Sequence, residues 1–219
     1  FGLQPSAWDS TVGFARKSFY SADGFESSYQ GYSTEFDWRV VGEVSDYLSV
    51  GAGLERSNDR GKKKLAWSPD QDVSLRTWAS YINGRLELSD SFFTEIAVRR
   101  DENNHYGGET TGKVAFSRDW GANGRAFGSV GTFFVAPNAF YLANAKSLNS
   151  LKPETGVGID CGVERSFGED VGFASIACFQ RDTRKQFDWT TWSPSSPNHV
   201  INLDRTKARG LEGELDLKL

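Results

Sequence analysis

Apolar and polar side chains alternate with a period of two along almost the whole chain, and this limits the fold more than any other feature. Tyr32, Thr34, Phe36, Trp38 and Val40 alternate with Ser33, Glu35, Asp37 and Arg39. Leu48, Val50, Ala52 and Leu54 alternate with Ser49, Gly51, Gly53 and Glu55. Phe92, Thr94, Ile96 and Val98 alternate with Phe93, Glu95, Ala97 and Arg99. The same rhythm marks segments 8–15, 82–88, 113–117, 157–164, 171–179 and 211–219, and is weakest over 125–134. Successive side chains of a strand point to opposite faces, so the pattern predicts about ten β-strands, each with one apolar and one polar face. All six prolines fall outside these strand interiors, as ladder hydrogen bonding requires. No comparable stretch has a 3.6-residue period, so almost no helix is expected.

The connections sort by length. Those at 42–46, 89–91, 119–123 and 166–170 are short, and those at 21–30, 56–75, 100–109, 135–154 and 183–204 are long. A soluble sandwich has no reason to keep every second connection short. A membrane barrel does, with tight periplasmic turns and long external loops. The strand at Trp8 then runs outward and the one ending at Leu219 inward. Trp38, Tyr47, Phe92, Trp120 and Phe167 sit near the predicted short turns and form a periplasmic aromatic girdle in this reading.

Composition agrees. Mean hydropathy is −0.50, and the sequence holds no apolar run long enough for a membrane-crossing helix. A β-barrel needs none, because only alternate residues face lipid. A net charge of −4 gives no basic face for nucleic acid. Two cysteines are too few for a disulfide framework. Phosphate-binding glycine loops, CxxC, HExxH and GxSxG motifs are all missing, and with His105 and His199 as the two histidines no catalytic residue is assigned.

Two sequence blocks carry a family resemblance. Phe134-Val135-Ala136-Pro137 exits a strand, and Leu151-Lys152-Pro153-Glu154 leads into the next. Downstream, Asn202, Ala208, Arg209, Gly210, Leu211 and Glu212 lie on one strand. Together these resemble TonB-dependent outer-membrane receptors of the cobalamin and siderophore type. The resemblance implies an all-β, antiparallel up-and-down transmembrane β-barrel and uptake of a metal chelate in the bacterial outer membrane. It also implies a plug domain inside a barrel of about 22 strands. Residues 1–219 read as one barrel segment with no room for a plug, so the expected partners are lipid, the chelate, further strands or a plug from the same or another chain, and TonB through that plug.

Site candidates fall in the long loops. Asn138, Tyr141, Trp189 and Trp192, with Phe187 and His199 nearby, could stack on or hydrogen-bond a ligand. Asp59, Asp70 and Asp72 share one predicted external loop and could supply oxygen ligands to calcium, a use the resemblance also implies. The bland readings are loop packing and a solvated acidic loop. Glu35, Asp37, Arg39, Glu55, Arg85, Glu95, Arg99, Asp160, Glu164, Glu212, Glu214 and Asp216 take lumen positions, where a hydrated wall explains them without catalysis. Cys161 shares the apolar parity of Val157, Ile159 and Val163, whereas Cys178 has the opposite parity from Phe173 and Phe179. That places the thiols on opposite faces and predicts that they are free, unless a bulge intervenes. Two rivals remain: an outer-membrane hydrolase, which needs a polar cluster at the outer rim, and a passive pore or small closed barrel, which needs the first and last strands to pair.

Overall fold

The computed structural model describes residues 8–22, 28–65, 68–121, 123–147, 150–167, 171–191 and 198–217. Ten strands follow in chain order: β1 (Trp8–Ala22), β2 (Ser28–Ser45), β3 (Leu48–Leu65), β4 (Ser68–Ser89), β5 (Phe92–Asn103), β6 (Gly107–Trp120), β7 (Gly124–Val135), β8 (Glu154–Phe167), β9 (Gly172–Trp189) and β10 (Val200–Leu217). Each pairs with the next in one sheet ordered β1 to β10, and every pairing is antiparallel. One five-residue helix, α1 (Ala139–Ala143), follows β7. Among the described residues β1 and β10 do not pair with each other.

The ladder assigns every strand residue a face, because directly opposed partners share one. The outer face carries Val12, Trp38, Leu54 and Ser80 in one cross-strand row, and Val130, Ile159 and Gln180 in another. The inner face carries Glu35, Glu55, Arg99, Asp160 and Glu164, and α1 packs on it. Ile96 and Val163 are exposed, and Leu48 and Val50 are covered only by neighbours in the same sheet. Among the described residues no second layer lies over the outer face. The accessible surface is 15127 Å², against roughly 10,000 Å² for a compact soluble monomer of this mass. A single wall with its apolar side uncovered accounts for the excess.

The apolar band also shows how the strands tilt. Phe14, Phe36, Arg56 and Trp78 form one row, and on β5 that row reaches Glu102. The last apolar outer residue of β5 is Val98, two outer positions closer to the short turn. The apolar limit thus stays on one row from β1 to β4 and steps along the ladder at β5, the kind of offset that tilted strands crossing a slab of fixed thickness produce.

Three expectations are corrected. The long connections are mostly strand: β3 and β4 continue to Leu65 and from Ser68, so the segment 56–75 is a hairpin rising beyond the apolar band. Trp38 lies well up the band, donating to Ser10 Oγ at 2.9 Å, whereas Tyr47, Phe92, Trp120 and Phe167 do sit at the short-turn end. Cys161 and Cys178 are direct ladder partners, joined as a disulfide with Cα atoms 5.4 Å apart. Parity on β9 misleads because its apolar residues divide between faces. Phe179 opposes Asp160 on the inner face, while Ile176 and Cys178 face outward.

Inner-face aromatics lie across glycines of the neighbouring strand. Tyr81 opposes Gly53, Phe127 opposes Gly162, Phe133 opposes Gly156 and Phe179 opposes Gly210. A methyl group built on any of these glycines would meet the ring at 2.4 to 2.7 Å. The glycines leave the rings room to fold down against the sheet.

Candidate functional site at the loop end

The segment between β7 and β8 turns back onto the inner face. Pro137 is fully buried, and Asn138 caps α1, its Oδ1 accepting from Tyr141 N at 2.8 Å. Asn144 closes the helix, its Nδ2 donating to Phe140 O at 2.8 Å. The carbonyl of Asn144 accepts from Val200 N at 2.9 Å, and its Oδ1 accepts from Lys63 Nζ at 2.7 Å. Leu142, Leu151 and Val200 are buried with Tyr29, Val73 and Leu75, and Phe187 packs against them. In a flat sheet β4 and β10 would lie roughly 29 Å apart. One side-chain cluster that reaches both requires a strongly curled sheet, with α1 filling its loop end.

The two motif blocks meet here. Asn202 Oδ1 accepts from Lys152 N at 2.8 Å, and its Nδ2 donates to Lys152 O at 3.0 Å. The same Nδ2 donates to Lys185 O at 2.5 Å, where the backbone of Lys185 takes a positive φ of 58°. Glu154 Oε1 accepts from Phe187 N at 2.6 Å. The asparagine side chain thus acts as a ladder partner for an extended segment that has none, and Glu154 satisfies an amide beside the irregularity in β9.

Aromatic rings run across the chamber from edge to edge. Phe19 lies 5.5 Å from Tyr29, and Tyr29 meets Phe140 edge-on at 5.2 Å. Phe140 contacts Tyr141 and Trp189, each at 6.3 Å, and Tyr141 contacts Phe187 at 5.2 Å. Asn138, Tyr141 and Trp189 are therefore brought together around α1, although the Asn138 side chain is spent on the helix cap. Trp192 lies outside the described residues. His199 closes the β9–β10 connection through Thr190, whose N donates to its carbonyl at 2.9 Å. A cavity of about 420 Å³ lies beside α1, between Lys17, Phe19, Tyr29, Asp59, Asn138 and Phe140. A second, of about 430 Å³, lies further down the inner wall among Glu35, Asp37, Arg39, Glu55, Tyr81 and Arg99.

The three aspartates do not converge. Asp59 opposes buried Leu75 on the inner face, whereas Asp72 opposes Lys62 and Asp70 pairs with Lys62 at 3.6 Å on the outer face. Among the described residues no group of three potential metal ligands forms. The inner wall below the chamber is laced with ion pairs: Lys17–Glu35 at 3.1 Å, Arg99–Glu55 at 2.6 Å, Arg99–Asp101 at 2.9 Å and Arg125–Glu164 at 2.9 Å. Phe19, Tyr29 and Phe140 escape sequence reasoning because they fall outside the segments whose alternation marks strands, although Phe19 lies on β1 and Tyr29 on β2. Arg99 is legible as a polar inner position, but Asp101 falls in the predicted connection 100–109, which the structure builds partly as β5, and their pairing depends on strand register.

An apolar outer band, a charged inner face and a loop folded into the concavity define the wall of a transmembrane β-barrel. Residues 3–219 match the family described as TonB dependent receptor-like, beta-barrel, and the chain belongs to that family. It is 25% identical over 185 residues to the vitamin B12 transporter BtuB of Photobacterium profundum, covering 82% of this chain and 29% of that protein. The crystal structure of the siderophore receptor PirA from Acinetobacter baumannii superposes with a TM-score of 0.73 at 17% identity, covering 87% of this chain and 35% of that one. The ferric enterobactin receptor PfeA from Pseudomonas aeruginosa superposes with a TM-score of 0.72 at 15% identity, covering 86% and 33%. The chain thus spans about a third of the length of these proteins.

Proposed function

We propose that this chain forms wall and loop-side surface of a bacterial outer-membrane receptor for a metal chelate of the cobalamin or ferric siderophore class, with no chemistry performed on the cargo. The observation that carries the reading is the aromatic chamber at the loop end, set above an ion-paired inner wall in a chain of this family. Flat aromatic faces around Phe140, Tyr141 and Trp189 suit a large, partly apolar chelate at the outer mouth. The paired charges below line a hydrated passage that does not trap the cargo by a single net charge.

The outer edges of β1 and β10 need strand partners, since each unpaired backbone group in hydrocarbon costs several kcal/mol. Further strands, from the same or another polypeptide, supply them in this proposal. A plug coupled to TonB supplies the energised step.

The test is a fluorescence titration of the purified protein with cobalamin and with a ferric catecholate. Saturable quenching by one of them is expected, with the Tyr141→Ala and Trp189→Phe variants binding about three- to tenfold more weakly. Failure of both chelates to saturate, or uptake of the labelled chelate that persists after the proton gradient is collapsed, would refute the proposal.

A further inference from the structure

The outer face of β1 to β4 changes character abruptly where its apolar residues end. Phe14, Phe36 and Trp78 share the last apolar row with Arg56, whose guanidinium lies 4.8 Å from the Trp78 ring centroid. The next row toward the loops holds Arg16, Thr34, Asn58 and Arg76, and the one after it Ser18, Tyr32, Arg60 and Ser74. Arg76 is the diagonal neighbour of both Arg56 and Arg60 across the β3–β4 ladder, at about 7 to 8 Å between Cα atoms. All four arginines are exposed, and none makes an ion pair among the described residues.

The nearby carboxylates are already engaged or further out. Asp70 pairs with Lys62 at 3.6 Å, Asp72 opposes Lys62 one outer row beyond Arg60, and Glu102 pairs with Arg100. On β6 to β8 the corresponding outer positions are Thr110, Thr132 and Thr155, all neutral. Toward the loops the basic charge of the outer face therefore falls in two sectors, one on β9 and β10, where Arg184, Arg205, Lys207 and Arg209 surround Asp182, and this patch on β1 to β4.

Like charges on adjacent strands repel unless anions lie between them. This patch begins where the apolar band ends, so its guanidiniums stand at headgroup depth with Phe14, Phe36 and Trp78 in the hydrocarbon margin below. We infer that Arg16, Arg56, Arg60 and Arg76 form a binding site for the phosphate groups of anionic lipids in the leaflet on the loop side. Guanidinium forks match phosphate oxygens two at a time, while the acyl chains run down over the aromatic row. The site lies on the outer face and does not depend on which cargo the chamber takes.

The experiment uses the full protein in detergent, incubated with mixed micelles of a bis-phosphorylated glycolipid, phosphatidylglycerol or phosphatidylcholine, and counts retained lipids by native mass spectrometry. Wild type is expected to retain the phosphorylated glycolipid at least about tenfold over phosphatidylcholine. The combined Arg16→Gln, Arg56→Gln, Arg60→Gln and Arg76→Gln variant loses that preference, while inner-face Arg85→Gln keeps it. Heat-modifiable gel migration checks that each variant is folded. Should the glutamine variant fail to fold, the matching lysine variant decides, with a preference retained but weakened several-fold as the forks are lost. Equal retention of charged and zwitterionic lipids overturns the inference, as does an equal loss in Arg85→Gln. Displacement of the glycolipid by millimolar inorganic phosphate also overturns it, marking a site for free anions.

Discussion

Replacing Asn202 by alanine should release the segment that leads into β8 without unfolding the wall. The side chain makes three hydrogen bonds, two to the backbone of Lys152 and one to Lys185 O. Neutral bonds of this kind contribute about 1 kcal/mol each, and the site is open enough for water to replace part of them. A local loss of about 2 kcal/mol follows, or about a thirtyfold rise in opening at Lys152. Hydrogen exchange read by mass spectrometry on a peptide covering 150–154 measures it directly. Asn202→Asp keeps an acceptor for Lys152 N but loses both donations, so its exchange should fall between wild type and alanine. Peptides from β2 and β3 should not change, because their ladder is continuous over Ser28 to Lys64 with one irregularity near the turn. Unchanged exchange at Lys152, or uniform acceleration through the whole sheet, would refute the idea that the two motif blocks exist to hold each other.

Leu142 has no exposed surface, so Leu142→Ala should cost about 2 to 5 kcal/mol, confined to the loop-end cluster, and limited proteolysis should then cut within 136–153 first. Gly53→Ala places a methyl 2.4 Å from the Tyr81 ring and should destabilise the refolded protein by about 1 to 3 kcal/mol in denaturant melts. Gly213→Ala, with its nearest atom at 3.9 Å, should stay within about 0.5 kcal/mol of wild type in the same assay. Cys161 and Cys178 should resist maleimide until reduced, and Cys161→Ser should leave Cys178 reactive without reductant; labelling of both in unreduced protein would contradict the disulfide.

The wall is legible in the sequence because a slab of lipid imposes a strict period on every strand that crosses it. Leu48 to Leu54, Phe92 to Val98 and Val157 to Val163 carry that period without interruption, and the ladder places them on the outer face as expected. Where the strands leave the slab, the period carries no such constraint, and β3 and β4 beyond Arg56 and Arg76 look like loop in sequence. On β9 both faces hold apolar residues, since Phe173, Ala177 and Phe179 lie on the inner face opposite Ser166, Gly162 and Gly210 while Ile176 and Cys178 face outward. Parity alone cannot choose between two apolar faces; pairing with Asp160 and Ile159 does. The chamber is the least legible part. Tyr141 and Trp189 stand out as loop aromatics, but Phe140, Tyr29 and Phe19 join them only after the chain between β7 and β8 doubles back. Asn202 belongs to a recognisable block, yet its work is done on a backbone fifty positions away.

Tyr81, Phe127, Phe133 and Phe179 each rest against a glycine, and this has a bearing on the width of any conduit such a wall encloses. A ring folded flush with the sheet takes almost nothing from the clearance, whereas one displaced by a single added carbon swings edge-first toward the axis. At these four positions the clearance thus depends on an absent methyl group as well as on the ring itself. Under the proposed function, alanine at these glycines is expected to slow passage of a bulky cargo while sparing small solutes.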